Sequence, residues 1–284
     1  MKHSSQSVGF TRWGWWEPKL IFVGLALGSI LMLGPLVWMV LSSFKPLAEI
    51  TLFPPTWIPR NPTWRNYTEV LTRIRFFDYY INSTLITLAT VGCTIITSTL
   101  AGFAFAKYDL PGGELLFVLV LSMMMLPFHI RLLPMYILMR DLSLVDTFTG
   151  IALPSLVSPF GIFLLRQFIM GVPDSLLEAA ELDGCSEVGK YWRVVLPLVK
   201  PAIAALTIFT FRWSWNDLLW PMVISNSPAT RTLPVGMAMF TQEHVTAYHL
   251  QMAGATLVIL PIVVVFMLMK RQFIEGIALT GMKG

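Results

Sequence analysis

Six apolar stretches of roughly membrane-crossing length dominate this chain, at about 20–41, 83–105, 115–130, 148–168, 202–223 and 252–269. A hydrocarbon core about 30 Å thick is crossed by roughly 20 helical residues, which is the scale of these runs. Lipid offers no partner to a free backbone N–H or C=O, so each stretch is expected to be a helix. Composition agrees: 55% of the 284 residues are hydrophobic and 13% are charged, with a mean hydropathy of +0.68. A soluble domain carries about 25% charged residues. The chain therefore reads as an all-α integral membrane protein with six transmembrane helices.

The first stretch is longer than the roughly 7 to 15 apolar residues of a signal peptide and no small-x-small cleavage site is evident, so it reads as a retained anchor. Six spans place both termini on one side. With termini inside, the inner segments hold ten basic residues (Lys2, Arg12, Lys19, Lys107, Lys190, Arg193, Lys200, Lys270, Arg271, Lys283) and the outer segments eight. Five of those eight lie in one long outer loop, where basic charge bears less on orientation, so the bias favours cytoplasmic termini. The expected division is a cytoplasmic segment 1–19, a first helix 20–41, an outer loop 42–78, a five-helix domain 79–270 and a cytoplasmic tail 271–284. The net charge of +4 records this bias and implies no nucleic-acid partner.

The loops differ in character. Pro46, Pro54, Pro55, Pro59 and Pro62 break up the first outer loop before a short amphipathic helix near Trp64–Arg75, and Pro111-Gly112-Gly113 marks a tight turn. Asn226, Ser227, Pro228, Pro234 and Gly236 predict a second irregular outer loop over 225–249. Cys93 and Cys185 fall in a span and a loop, and His3, His129, His244 and His249 are scattered without metal-ligand spacing. No Gly-rich phosphate loop, nucleophile–base pair or metal cluster appears, so no enzymatic role, cofactor or metal is expected of this chain.

The polar loop 171–200 contains EAAELDGCSEVGKYWRVVLP from Glu178 to Pro197. Ser175 followed by Glu178 predicts a capping box opening a helix, Gly184 suits its left-handed end, and a second short helix is expected over Ser186–Arg193. Ala179 and Ala180 at its middle would let a partner surface approach closely, either a groove on another subunit or neighbouring spans.

The spacing Glu-Ala-Ala, three residues, Gly, nine residues, aliphatic, any, Leu-Pro is met at Glu178, Ala179, Ala180, Gly184, Val194, Leu196 and Pro197. It resembles the cytoplasmic coupling loop of the permease subunit of a bacterial ABC importer. Further landmarks are Ser43-Phe44-Lys45-Pro46, Pro62-Thr63 with Asn66-Tyr67, Asn82-Ser83, Pro127, Phe160-Gly161, Trp215-Asn216-Asp217 and Gly281–Gly284. With these the chain is similar, over nearly its whole length, to the smaller permease of maltose-type carbohydrate importers of type I fold. Cys185 departs from the small residue usual there. The resemblance implies a heterodimer with a second permease, two cytoplasmic ATPase subunits that use ATP and Mg, an extracytoplasmic solute-binding protein and a place in the bacterial inner membrane. It places Glu178, Ala179, Ala180, Asp183 and Gly184 in a groove of one ATPase, and it puts most sugar contacts on the other permease.

Arg212, Asn216 and Asp217 lie in the fifth apolar stretch, where an exposed charge costs about 2.5 to 3.5 kcal/mol. They are expected to face the protein interior. With Trp215, or Trp213 or Trp220, they could meet sugar hydroxyls and ring faces, or else brace the second permease and fill an aromatic belt. An uncharged mono- or oligosaccharide is the expected cargo, with glycerol 3-phosphate or a related polyol ester as the alternative. A secondary transporter is the other class, although no repeat relates the two halves.

Overall fold

The computed structural model describes residues 17–243 and 247–281, with side chains described for 19–238 and 247–271. Residues 1–16 of the N-terminal segment, His244 in the second outer loop and Met282–Gly284 of the tail lie outside the described residues. Helix α1 (Glu17–Ser43) forms the first span and packs mainly on the last helix, while most of its apolar side chains stay exposed. The loop expected on the outside, after the first span, carries a single turn, α2 (Leu47–Ile50), and the expected amphipathic helix, α3 (Arg65–Arg73).

Helix α4 (Phe76–Lys107) is the second span. The turn after it places Gly112 at φ +70°, where a Cβ would be strained. The third stretch is not one straight helix. Helix α5 (Gly113–Met125) stops at Leu126 and α6 (Phe128–Asp141) leaves at 103° to it, so the break falls before the expected end at Ile130. Pro127 is the cause: its ring forces the residue before it out of helical geometry.

The fourth stretch is also broken. Helix α7 (Phe148–Ala152) runs through a 3-10 turn, Leu153–Ser155, and α8 (Pro159–Met170) resumes at 42°. Pro154 and Pro159 bracket the break. Beyond it lie α9 (Asp174–Leu182), α10 (Glu187–Lys190), a π-helical turn at Tyr191–Val195 and α11 (Leu196–Leu198). The fifth stretch divides into α12 (Lys200–Trp215) and α13 (Leu219–Ile224).

The second outer loop is not wholly irregular, because α14 (Leu233–Glu243) forms within it. Pro234, taken as a breaker, sits in that helix's first turn, where a missing N–H costs nothing. Gly236 is there for contact: a Cβ would sit 2.2 Å from the Tyr79 ring. The last span is α15 (Tyr248–Gly281).

Helix α4 is the hub, packing on both α8 and α12. Its buried face carries Ser83, Thr87, Thr90, Thr94, Ser98 and Gly102, small residues spaced three or four apart, with Thr99 beside them. Hydrophobic driving force between helices is lost in lipid, so close approach of small residues supplies much of the packing. A Cβ on Gly161 of α8 would fall 2.3 Å from Ser98 Oγ, and one on Gly102 would fall 3.0 Å from Leu165 Cβ. Thr94 and Thr97 donate from α4 to the carbonyls of Ser155 (3.1 Å) and Leu156 (3.2 Å), where the fourth span unwinds.

At the end of the bundle that carries loops 42–78 and 225–249, Asn82 donates to the carbonyls of Ala229 and Arg231, both at 2.9 Å, and Ser83 Oγ accepts from Leu233 N at 2.7 Å. Asp146 accepts from the backbone of Asn226 and Ser227 at 3.0 Å each and from the Thr230 hydroxyl. The Thr230 bond, followed by the other donors, holds the Asp146 carboxyl down at about 2 despite partial burial.

Two predictions follow from these contacts. Gly161→Ala should destabilise the purified protein by about 1 to 3 kcal/mol by overpacking the α4–α8 seam, and Ser98→Gly in the same chain should restore most of the loss in thermal unfolding. A carboxyl depressed on folding stabilises above its unfolded value and loses that contribution as pH falls through its folded one. Asp146→Asn should therefore cost about 1 kcal/mol at neutral pH, after allowing for its partial exposure, and the gap from wild type should narrow below about pH 4.

Candidate functional site

The polar segment between the fourth and fifth spans begins on an ion pair. Lys107, at the end of α4, donates to the Val172 carbonyl at 2.6 Å and to the Asp174 carboxylate at 2.6 Å. Helix α9 starts at Asp174 behind Pro173, and its N-cap forms no side-chain bond. The expected Ser175–Glu178 capping box is therefore absent: Ser175 already lies within the first turn, and the serine needed one residue before the helix is replaced by proline.

The end of α9 is as expected. Gly184 takes φ +78°, Gly184 N reaches the Glu181 carbonyl at 2.9 Å and Cys185 N reaches that of Ala180 at 2.9 Å, a Schellman closure. Ser186 Oγ then accepts from Gly189 N at 3.2 Å and caps α10. The expected helix over Ser186–Arg193 appears as α10 running into the π-helical turn.

Side chains not anticipated as site residues fasten this segment to the bundle. Lys190 is covered and donates to Glu181 at 2.6 Å and to Glu187 at 2.8 Å. These bonds, that to Glu181 foremost, raise the Lys190 ammonium, and the Lys190 and Tyr108 bonds lower the Glu187 carboxyl. Burial and then the Glu187 carboxylate push the Tyr108 hydroxyl up to about 12. Glu187 and Lys190 at i, i+3 were a readable pairing signal; Tyr108 and Glu181 are brought in only by the fold.

Below this network, Tyr191 meets Thr99 of α4 at 2.7 Å, and Val172, Val195 and Val199 are buried with Leu165, Ile169 and Leu206. Within the motif, Leu196 packs against this cluster, Val194 is half-buried and Pro197 is exposed. Its neighbour Val195 is the fully buried one.

The outward face has no cover. No residue of α9 is buried; Glu178, Ala179, Asp183 and Gly184 are exposed and Ala180 is half-buried. Leu182 is 90% exposed, and Val188 and Trp192 stand out beside it at 66% and 61%. A segment clamped from below and apolar above has the form of a docking surface.

The fifth span presents a different picture from the expected sugar site. Trp215 is buried at 1% exposure, stacked on Phe211 at 5.7 Å, with its indole N–H donating to the Val258 carbonyl at 2.9 Å. Trp220 is equally buried and donates to the Gly150 and Ile151 carbonyls at 3.2 Å. Neither ring face is available to stack on a sugar, whereas Trp213 is 68% exposed. Asn216 closes α12 by donating to the Arg212 carbonyl at 3.0 Å, and Asp217 faces the backbone N–H groups of Trp220 and Leu219 at the start of α13. Both serve the interruption of the span, which places Asp217 in a break rather than in a helix. No Arg212–Asp217 ion pair forms among the described residues. Arg212 and Asn216 instead line an open groove of about 630 Å³ with Met237, Gln251 and Val258.

A helical membrane protein with spans broken at prolines and a helix pair clamped at one end is the form of a transport permease. The chain belongs to the family of binding-protein-dependent transport system inner membrane components, whose model matches residues 95–278. It is 36% identical over 93% of its length to the arabinooligosaccharides transport system permease protein AraQ of Halalkalibacterium halodurans, covering 96% of that protein. It is 33% identical to the sn-glycerol-3-phosphate transport system permease protein UgpE of Yersinia pestis, over 89% of this chain and 93% of that one. The structure matches a chain of a bacterial ABC transporter that imports the acidic polysaccharide alginate, with TM-score 0.78 at 23% identity, over 94% of this chain and all of the other.

Lys190→Met would leave Glu181 and Glu187 without their shared cation. Amides of 181–195 should then exchange with deuterium about tenfold faster, while those of α4 and α8 stay protected.

Proposed function

We propose that this chain is one of two permeases forming the path of an ATP-driven importer, with the 171–200 segment on the cytoplasmic side as its coupling element. The carrying observation is the exposed α9 surface, Glu178, Ala179, Leu182 and Asp183, held on a rigid base by Lys107, Lys190 and Tyr191. A partner ATPase that binds ATP and Mg would seat this surface, and closure of the ATPase pair would tilt α9 and α10. Through Tyr191, Val195 and Val199 the tilt reaches α4 and α12, so that nucleotide biases which side of the path is open. A solute-binding protein would deliver cargo to the opposite end, between the outer loops. Both termini lie in the cytoplasm on this reading.

A carbohydrate is the cargo this reading favours, supported by the arabinooligosaccharides permease among the related proteins. One observation favours a second reading, an anionic polyol ester such as that in the name of UgpE. The guanidinium of Arg212 lines the groove without a hydrogen-bonding or ionic partner among the described residues. A groove that must pass a phosphate gains from such a cation, and one that passes a neutral sugar has no need of it.

Both readings meet the same test. In the reconstituted complex, Glu178→Lys should cut binding-protein-stimulated ATP hydrolysis by about tenfold or more without preventing insertion, since it reverses a charge on the docking face. Survival of coupled hydrolysis and transport would remove α9 from this role. Arg212→Gln should leave uptake of a neutral oligosaccharide intact and impair only that of a glycerol phosphate.

A further inference from the structure

At the end of the bundle that carries α9, a cavity of about 480 Å³ opens between α4, α5 and α8, lined by Phe105, Tyr108, Asp109, Glu114, Phe117 and Arg166. Its depth follows from the helices. Arg166 is four residues from the end of α8 and Phe117 four from the start of α5, so both lie about 6 Å inside their helix ends. Where helix ends meet the membrane surface, that is the level at which lipid headgroups meet the hydrocarbon. Leu115, Leu116, Val118 and Leu119 of α5 are 51–66% exposed beside it, an apolar surface suited to acyl chains.

The charges in this cavity are uncommitted. Arg166 is held by its Nε, which donates to the Phe105 carbonyl at 3.1 Å, and by its position 4.2 Å above the Phe117 ring. Its terminal N–H groups find no protein acceptor among the described residues. Asp109 and Glu114 stand exposed on the same wall, and neither joins an ion pair there. Lys107, at the end of α4, is already engaged by Val172 and Asp174, and Lys190 by Glu181 and Glu187.

We propose that this cavity binds the headgroup of a zwitterionic phospholipid of the phosphatidylethanolamine type. The guanidinium fork of Arg166 matches a phosphate, which it can hold by two parallel N–H bonds. The primary ammonium of the headgroup, with three donors, answers Asp109 and Glu114. A purely anionic lipid would leave two carboxylates beside its own charge and no cation to meet them, so the site discriminates against phosphatidylglycerol. Tyr108, which lines the same cavity, donates its hydroxyl to Glu187 of α10, so the bound lipid lies one side chain from the coupling segment.

The test uses the intact permease complex, stripped in detergent and incubated with equal amounts of phosphatidylethanolamine and phosphatidylglycerol, with retained lipid counted by native mass spectrometry. One phosphatidylethanolamine per copy of this chain is expected, favoured about tenfold, the scale of one charge-assisted hydrogen bond. Arg166→Gln should abolish the retention. Asp109→Asn with Glu114→Gln, both exposed, one in the turn and one in the first turn of α5, should erase the preference and let phosphatidylglycerol bind equally. Soluble glycerophosphoethanolamine separates the sources: displacement of the lipid at millimolar concentration means the headgroup chemistry suffices, and no displacement means the acyl chains are required. Equal retention of the two lipids by the wild type, or a preference unmoved by the double substitution, overturns the proposal. So does full retention by an assembled Arg166→Gln complex.

Discussion

The approach of α8 to α4 through Gly161 and Gly102 is the contact on which the rest of the protein depends. In water an apolar face drives helices together whatever their detailed shape. In lipid the surroundings are as apolar as the face, so the gain has to come from close packing and from polar groups that need one another. The α4 face supplies both. Its small side chains admit α8, and its hydroxyls at Thr94 and Thr97 supply donors to carbonyls released where the fourth span unwinds. A broken span is tolerable inside a membrane only where such donors are waiting. Without this seam, the break at 153–158 would leave backbone groups in hydrocarbon.

The same helix joins the two ends of the molecule. At one end Asn82 and Ser83 hold the loop 229–233; at the other Thr99 meets Tyr191, and Lys107 anchors the start of α9. The 171–200 segment is thus fastened to the most tightly packed element rather than suspended between two spans. A π-helical turn lies at the junction, with Tyr191 and Val195 buried and Trp192 exposed.

Much of this was legible in the sequence because the signals are strong in lipid. Hydrophobic length located six apolar stretches, three of them single helices long enough to cross a membrane and three of them bent pairs, and Gly184 marked the end of α9 because few other residues take its backbone conformation. The breaks were less legible, since a proline inside an apolar run can kink, cap or simply be absorbed. Pro127 ends a helix, Pro234 begins one, and Pro35 and Pro261 pass through helix interiors. Local sequence does not separate these outcomes; the partners available to the released backbone groups do. The capping box failed for a related reason, because Pro173 took the position that Ser175 would have needed.

Aromatic residues in the fifth span show where residue type stops being informative. Trp213, Trp215 and Trp220 offer the same ring, yet burial of the last two commits their indole N–H groups to carbonyls of other helices. A tryptophan binds a sugar only with a free face, and that is a property of its neighbours, Phe211 and the backbone of α15 among them. Asn216 and Asp217 follow the same logic: at the interruption of the span their polar groups answer the ends of α12 and α13 before they can answer a ligand. Arg212, whose side chain meets neither helix end, is what remains to face the groove. Its cost in the span is offset only if the groove holds water, an anion or a carboxylate of the second permease.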